Sequence, residues 1–471
     1  MNARTLTKQL AYPVKQILKR GYAAVPLPVR YGRVFRDTYK FLQESQWWSI
    51  ERLQEYQMGE LRRLFTHCRK HVPYYRQLFT EQGLDLEEPM SLDILRQQPY
   101  LTKEVVKERL PDLIAENCPK SRLELLHTGG TTGIPLLFFE EKPATRLKES
   151  AFVWRAWNWA GLRCGERRVI LRGRMSNRFK NGRRLSWEYE PREAALILSS
   201  FDMTEDVMQS YVKRIRDFKP AAIQAYPSSL CVLADYLRRS NLSLGNLKCI
   251  LTSSETLYAE QRRMIEETLG ARIFDLYGNS EKSGLATQCE HGRYHIIPEY
   301  GIVELVGENE NPVCRHGEVG EIVTTGFINR AVPVIRYRTG DLAVYSTDKC
   351  PCGRNHVLLQ RIQGRVQEYF VDKTGALITF TYANTALRDF EDKVILYQFV
   401  QEEPGRIHLK IVEEKRCSAS DIELMKKHFM RVYSRLELTV ERVPEIPRTK
   451  SGKFRYFVQK LPVAFGGHQD A

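Results

Sequence analysis

The sequence predicts an α/β protein with a large N-terminal domain, built on mixed and parallel sheets with a β-rich subdomain, and a small mobile α+β domain at the C-terminus. Between residues 165 and 276, short β-rich runs alternate with amphipathic helical stretches, a rhythm typical of a parallel sheet. Residues 300–348 are β-rich throughout. A chain of 471 residues is too long for one compact core, which favours two domains of unequal size.

The individual elements follow from the spacing of apolar residues. Residues 40–120 are rich in Leu, Arg, Glu and Gln with apolar spacings of three and four, which predicts helices. Loops at the carboxyl ends of parallel strands are where such folds bind ligands, so the residues that follow each strand matter most. The predicted elements of the parallel region are strands at 168–171, 221–225, 249–252 and 272–276, a helix from the Tyr226 turn to Leu237, and a helix near 258–269.

Gly364 is the best candidate for a boundary between the two domains. Beyond it, the pattern predicts strands near 394–401 and 406–413, a helix near 419–436 and a strand at 438–440, which is the content of a small α+β unit. The predicted organisation is therefore a basic helical N-terminal extension (1–60), a large domain (61–364) and a small domain (365–471).

The chain is basic, with a formal net charge of +15, and the excess is concentrated at its start. Residues 1–36 contain eight Lys and Arg and no acidic residue. Apolar residues lie between these cations near helical spacing, so the segment either contacts the inner face of a membrane or forms a solvated basic arm. No apolar run reaches the roughly 18 residues of a membrane span and no secretory signal is recognisable, so we expect a cytoplasmic protein.

A loop of hydroxyls and glycines at 128–133 is the first of five segments that carry chemistry. Glycines let such a loop form a nest of N–H groups, and threonine hydroxyls add donors for phosphate oxygens. It is not a Walker loop, because no Gly-Lys-Ser/Thr follows. The others, in chain order, are Tyr277-Gly278-Asn279-Ser280-Glu281, Tyr337-Arg338-Thr339-Gly340-Asp341, Gly364-Arg365 and Pro447-Arg448-Thr449-Lys450-Ser451-Gly452-Lys453.

In this order, the five segments resemble the adenylate-forming enzymes, and among them the phenylacetate–CoA ligase family and its CapK branch, which is encoded with capsular-polysaccharide genes. The resemblance covers roughly residues 60–465. It implies a large ATP-binding adenylation domain and a small C-terminal lid. It assigns ATP or AMP binding to Thr128, Gly129, Gly130, Thr131, Thr132, Gly133, Ser254, Glu255, Tyr277, Gly278, Asn279, Ser280, Asp341 and Arg365, Mg²⁺ binding to Glu281, and catalysis to Lys453.

The assigned roles suit the residue types. An aromatic face such as that of Tyr277 suits a planar adenine, and a carboxylate such as that of Glu281 suits a hard Mg²⁺ ion. The alternative for Glu281 is a carboxylate at a helix N-terminus. A cation at residue 453 would stabilise the charge that develops when a carboxylate attacks the α-phosphate. The acid pocket is expected to include Ala225, Tyr226, Pro227 and Ser228.

Three cysteines and a histidine form a second candidate site. Cys350 and Cys352 stand in a Cys-x-Cys-Gly turn that lets two sulfurs meet one ion, and Cys289 and His295 precede them. Three Cys and one His make a closed set typical of structural Zn²⁺. His291 is the alternative fourth ligand, and the resemblance to zinc-bearing members of the family favours His295.

The resemblance implies that ATP activates a small-molecule carboxylic acid to an acyl-adenylate, with CoA as the acceptor. Two departures from the family pattern weaken the prediction that CoA is the acceptor. No acidic residue stands two places after Gly364-Arg365, and a glycine-rich loop of the family is replaced by Val371-Asp372-Lys373-Thr374-Gly375. An amine or hydroxyl on a sugar-linked acceptor in surface-polysaccharide biosynthesis is therefore the alternative. The charge and the cysteines also suggest a zinc-containing nucleic-acid-binding protein, but no recognition helix follows them, so we expect no nucleic acid partner.

Overall fold

The structure is a computed structural model, and it describes residues 21, 25–86, 89–127, 137–172, 179–180, 183–200, 203, 205–307, 310–365, 369–373, 377–379, 383, 387, 390, 393–414, 416–448 and 455–461. The helices in these residues are Leu27–Arg30, Gly32–Ser45, Ile50–His71, Pro73–Glu81, Leu92–Arg96, Lys103–Leu113, Ala144–Trp159, Glu205–Phe218, Pro227–Arg239, Ala259–Leu269 and Ala419–Val432, with short 3-10 turns at Lys120–Arg122 and Pro191–Glu193.

The strands are numbered in chain order. They are β1 (Leu123–His127), β2 (Leu137–Glu141), β3 (Arg168–Arg172), β4 (Phe179–Lys180), β5 (Arg183–Arg184), β6 (Trp187–Glu190), β7 (Ala195–Ser199), β8 (Ala222–Ala225), β9 (Cys249–Ser253), β10 (Ile273–Gly278), β11 (Leu285–Gln288), β12 (Tyr294–Ile296), β13 (Gly301–Val306), β14 (Val319–Gly326), β15 (Tyr337–Ser346), β16 (Leu358–Arg365), β17 (Tyr369–Val371), β18 (Leu377–Thr379), β19 (Val394–Glu403), β20 (Arg406–Glu413), β21 (Glu437–Arg442) and β22 (Phe457–Gln459).

One large mixed sheet organises the N-terminal part of the described chain. Its order is β13-β14-β15-β16-β12-β11-β10-β9-β8-β3-β7-β6. Strands β7, β3, β8, β9 and β10 pair in parallel, and the remaining neighbours pair antiparallel. The parallel half is formed by the residues in which the sequence predicted alternating strands and helices, and the antiparallel half contains the predicted β-rich region. The predicted fold class is confirmed.

Helices cover the parallel half because its strands are apolar on both faces. All five residues of β7 are buried, as are four of the five in β3. Glu205–Phe218, Pro227–Arg239 and Ala259–Leu269 share one hydrophobic cluster with these strands. This arrangement leaves the carboxyl ends of β8, β9 and β10 at a common edge.

The helix Ala144–Trp159 was not predicted from the sequence. It buries aromatic residues and a complete arginine, Arg155, which is 0% exposed. Because apolar residues lie on more than one side of this helix, it shows no single apolar stripe of the kind that reveals a surface helix. It packs against Gly32–Ser45, whose Phe35 and Leu42 are fully buried in the same cluster.

That packing changes the interpretation of the basic N-terminal segment. From residue 32 onward the segment is a helix with an apolar face in the core, so the expectation of a loosely packed arm is wrong for this part. Residues 1–20 and 22–24 lie outside the described residues. None of the helices in the described chain is long and apolar enough to cross a membrane.

The C-terminal unit is a four-stranded sheet with one long helix. Its order is β21-β20-β19-β22, with β19 and β20 antiparallel and the outer pairs parallel. Ala419–Val432 lies on this sheet and buries Met425 and Phe429. The helix begins at a capping box in which Ser418 and Asp421 bond each other's backbone N–H groups, which satisfies donors that a helix start leaves open.

Candidate functional site

Four of the sequence-predicted segments meet at one edge of the large sheet. Tyr226 follows β8, Ser254 follows β9, and Tyr277 lies near the end of β10. Because β8, β9 and β10 run parallel, their carboxyl ends place these residues side by side. Asp341 reaches the same place from β15. The structure thus brings together segments that lie more than 100 residues apart in sequence.

A hydrogen bond joins two of the predicted nucleotide-binding residues. The Tyr277 hydroxyl donates to Asp341 Oδ2 at 2.8 Å, and Tyr277 is half-buried. Asp341 lies opposite Arg365 in the register of β15 and β16, so the backbone of the third predicted residue is adjacent. The side chain of Arg365 lies outside the described residues. This arrangement fixes the carboxylate beside an aromatic ring.

Glu281 lies in a turn between β10 and β11. Its side chain is buried, and Oε1 accepts a hydrogen bond from the Tyr337 hydroxyl at 2.8 Å. The alternative of a helix N-terminus is wrong, because residues 280–282 form a turn and β11 begins at Leu285. Asn279 holds the turn by accepting from the Ser283 backbone N–H at 2.9 Å. The turn packs closely on β14: a Cβ at Gly326 would lie 2.7 Å from Ser283 Cα.

Ser254 and Glu255 connect the strand edge to the acid-pocket turn. The Ser254 backbone is left-handed, with φ of +73°, a conformation that costs a non-glycine residue about 1–2 kcal/mol and is common at functional sites. Glu255 accepts from both the backbone N–H and the hydroxyl of Ser228, at 3.0 and 3.1 Å. It thereby satisfies donors at the start of Pro227–Arg239.

The C-terminal unit reaches this edge through the Pro447 motif. Burial lowers the pKa of the Arg448 guanidinium, and the nearby Glu255 carboxylate acts in the opposite direction. Two further contacts tie the same unit to the helix Pro227–Arg239: an ion pair of 2.8 Å between Arg239 and Glu414, and a contact of Cys231 with Tyr456. Lys453 and the loop Thr128–Gly133 lie outside the described residues.

Sequence reasoning missed one residue at this edge, Arg172. It is the last residue of β3, donates from Nη2 to the Ser253 hydroxyl, and lies over the Tyr226 ring at 5.0 Å. The signal was present, because the residue directly follows the predicted strand 168–171 at its carboxyl end. A lone arginine after a strand is common, so the position does not by itself indicate a binding residue.

The cysteine–histidine cluster assembles from three distant pieces of chain. Cys289 follows β11, His295 lies in β12, and Cys350 and Cys352 lie in the turn before β16. Their four ligand atoms all lie within 4.8 Å of one another. Cys289 Sγ is 3.5 Å from Cys350 Sγ, and Cys352 Sγ is 3.6 Å from His295 Nε2. Two sulfurs on a tetrahedral Zn²⁺ are separated by about 3.8 Å, so these spacings fit such an ion.

The surroundings of the cluster suit ligands held away from water. Burial lowers the pKa of His295 to about 3, which keeps the imidazole in the neutral form that binds metals. Burial also raises the pKa of Cys350 to about 12. His291, the alternative ligand, is exposed and donates its backbone N–H to Cys289 Sγ at 3.3 Å instead. A backbone donor to a ligand sulfur is typical of the shell around a metal site.

Comparison with known proteins places the chain in a family. A phenylacetate–coenzyme A ligase of Pseudomonas putida is 30% identical over 302 residues, which cover 62% of this chain and 67% of that protein.

The chain belongs to the phenylacetate–coenzyme A ligase family.

Three further comparisons describe this family member, and two of them cover more of it. Protein CapK of Staphylococcus aureus is 23% identical over 439 residues, 92% of this chain and 94% of that protein. Residues 370–460 match the family model described as the CapK C-terminal domain. A crystal structure of 2-hydroxyisobutyryl-CoA ligase in the postadenylation state has the same fold, with a TM-score of 0.68 and 19% identity over 88% of this chain and 93% of that one.

Proposed function

We propose that this family member is an AMP-forming acid ligase. A substrate carboxylate attacks the α-phosphorus of ATP, the bond to the β-phosphate bridge breaks, and pyrophosphate leaves. The sulfur of CoA then attacks the carbonyl of the acyl-adenylate, its proton passes to solvent, and AMP leaves. The observation that carries the proposal is the meeting of Ser254, Tyr277, Glu281 and Asp341 at one strand edge, with Arg448 of the C-terminal unit beside Glu255.

The proposed roles follow from this arrangement. Tyr277 offers a ring face to adenine while its hydroxyl fixes Asp341, whose carboxylate accepts the ribose hydroxyls. Lys453 lies five residues beyond Arg448 in the sequence and is proposed to contact the α-phosphate. There its charge stabilises the transition state of adenylation. The loop Thr128–Gly133 is proposed to hold the β- and γ-phosphates.

Glu281 fits a role as a Mg²⁺ ligand. It is a buried carboxylate whose partner is a neutral hydroxyl, and no cation in the described chain forms an ion pair with it. A buried charge of this kind is expensive unless a cation compensates it. Mg²⁺ would neutralise phosphate charge.

The small domain, 365–471, is proposed to turn between the two half-reactions, bringing Lys453 in for adenylation and withdrawing it for transfer. Gly364 is a suitable hinge because its φ is +100°, a value that residues with a Cβ rarely adopt.

A panel of carboxylic acids tests the proposal through pyrophosphate release with Mg·ATP, with and without CoA. We expect at least one acid to stimulate pyrophosphate release and to yield AMP and acyl-CoA in equal amounts. ATP hydrolysis to ADP and phosphate, or the absence of turnover with every acid of the panel, would contradict an AMP-forming ligase.

A second candidate transfers the acyl group to an amine or hydroxyl of a sugar-linked acceptor. The observation that favours this candidate is at the segment that replaces the glycine-rich loop of family ligases. Asp372 is fully buried and pairs with Arg435 at 3.4 Å, and Lys373 pairs with Glu437 at 2.5 Å. These contacts tie the segment to the small sheet. In this case pyrophosphate release is unaltered by CoA and accelerated by an amino or hydroxyl sugar.

We also propose that Cys289, His295, Cys350 and Cys352 hold one structural Zn²⁺. The spacing of the four ligand atoms supports a tetrahedral ion, and four protein ligands leave no open position for a substrate. The ion would join the β11–β12 hairpin to the turn before β16 and so stabilise the middle of the large sheet.

A further inference from the structure

A cavity of about 670 Å³ lies between the helix Ala144–Trp159 and the face of strands β3 and β8. Pockets for drug-sized ligands range from about 300 to 1,000 Å³, so it accommodates an organic molecule of substantial size. Trp154, Trp157 and Ile170 give it apolar walls, and Tyr226 of the predicted acid pocket lies at its border. The cavity is therefore where the acyl body of a substrate would lie.

The walls of this cavity are more positively charged than the binding of an apolar acid would require. Its walls include five arginines but only two glutamates. Three of the arginines have carboxylate partners, for example Arg168 with Glu193 at 3.1 Å and Arg192 with Glu190 at 2.9 Å. The arginines are Arg30, Arg146, Arg168, Arg172 and Arg192.

Arg172 differs from Arg146, Arg168 and Arg192, which pair with carboxylates. No carboxylate in the described chain lies within ion-pair distance of it, and its buried Nε has no hydrogen-bond partner there. Its contacts are the Ser253 hydroxyl and the Tyr226 ring, both neutral. Burial lowers the pKa of the guanidinium, but an arginine remains charged at neutral pH. Glu255 and Asp275 act on the guanidinium electrostatically, but neither forms an ion pair with it. A partly buried cation without a direct anionic partner among the described residues favours an anionic ligand.

We propose that this cavity binds the body of the acid substrate and that Arg172 pairs with a second anionic group on it, a carboxylate or a phosphate. This inference rests on the proposed function. The second group is distinct from the carboxylate that is activated, because an ion pair to the reacting oxygen would stabilise the ground state and slow its attack on phosphorus. A planar guanidinium binds carboxylate and phosphate oxygens equally well through paired N–H donors.

Calorimetric titration of the full chain with three related acids tests the inference. Phenylacetate carries one anionic group, 4-carboxyphenylacetate adds a carboxylate, and 4-(phosphonooxy)phenylacetate adds a phosphate. We expect at least one of the two added-anion acids to bind about tenfold tighter than phenylacetate or better, as a charge-assisted pair implies. Comparison of these two acids identifies the group.

Arg172→Met should remove that preference, because it should weaken binding of the added-anion acids by about tenfold more than binding of phenylacetate. The exposed Arg315, whose side chain is 88% exposed and lies outside the cavity walls, gives the matched control: Arg315→Met lowers the net charge equally and should preserve the preference. Circular dichroism checks that the variants fold. Arg172→Lys keeps the charge but loses the paired N–H donors of the guanidinium, so it should retain a reduced preference for the added-anion acids. This variant tests the inference if the Met variant does not fold.

Three results would overturn the inference: phenylacetate binding as tightly as both added-anion acids, equal weakening of all three acids by Arg172→Met, or no binding of either added-anion acid. Failure of the proposed function looks different. In that case an added-anion acid binds through Arg172, but no acid releases pyrophosphate from Mg·ATP.

Discussion

The proposed nucleotide site at the ends of β8, β9 and β10 and the cysteine–histidine cluster lie on the same sheet but are built in opposite ways. At the edge, Tyr277 and Ser254 are partly or largely exposed and Ser254 has a left-handed backbone. In the cluster, Cys289 and His295 are completely buried. The proposed ATP site would need open, polar strand ends, whereas the proposed structural ion would need four ligands held in place, of which Cys350 and Cys352 are only partly buried. The two regions should therefore respond differently to substitution.

The largest expected effect is on rate alone. Lys453→Ala should lower the rate of adenylate formation by about 100-fold or more, the loss typical of one preorganised charge. Zinc content and thermal stability should stay unchanged, and thioester formation from preformed acyl-adenylate should survive. Single-turnover assays of each half-reaction measure this. Equal loss in both half-reactions would argue against a small domain that turns between two positions.

The next effect is on stability. Cys350→Ser should lower zinc content from about one ion per chain and reduce the melting temperature by about 5 °C or more, because binding of a structural ion contributes to folding. Elemental analysis and calorimetry measure the two quantities. Cys314→Ser, at an exposed cysteine outside the cluster, is the control and should change neither. Wild-type protein that contains no metal and is insensitive to chelators would remove zinc from the site.

The smallest expected effect is on the KM for ATP, and it distinguishes the role of Asp341 from that of Tyr277. Asp341→Asn should raise the KM for ATP by about tenfold, since hydrogen bonds to a charged acceptor are worth about 1.5–3 kcal/mol. Tyr277→Phe keeps the ring face and loses only the 2.8 Å bond to Asp341, so its KM should rise by about two- to fivefold. The ratio of the two KM values is the measurement. A Tyr277→Phe effect equal to that of Asp341→Asn would mean that the hydroxyl, not the ring, is what the nucleotide requires.

Local patterns predicted most of the framework. The predicted strand 249–252 is observed as Cys249–Ser253, and the helix near 258–269 as Ala259–Leu269. In the C-terminal unit, the helix near 419–436 ends at Val432. The two helices whose presence or packing was not predicted have a common cause. Ala144–Trp159 is buried on more than one side and so lacks an apolar stripe, and the role of Gly32–Ser45 depends on that hidden helix.

The sequence by itself determined which residue types stand after which strands, because local periodicity and motif order are properties of the chain. It therefore made Tyr277, Asp341 and the three cysteines with His295 or His291 candidate site residues before any coordinates. Only the tertiary structure decided that Tyr277 donates to Asp341, that His295 and not His291 lies with the cysteines, and that Arg172 borders the cavity without an ion-pair partner among the described residues. Those facts depend on how the strands pair across the sheet and on which helix covers it, and long-range packing of this kind leaves no mark on local sequence.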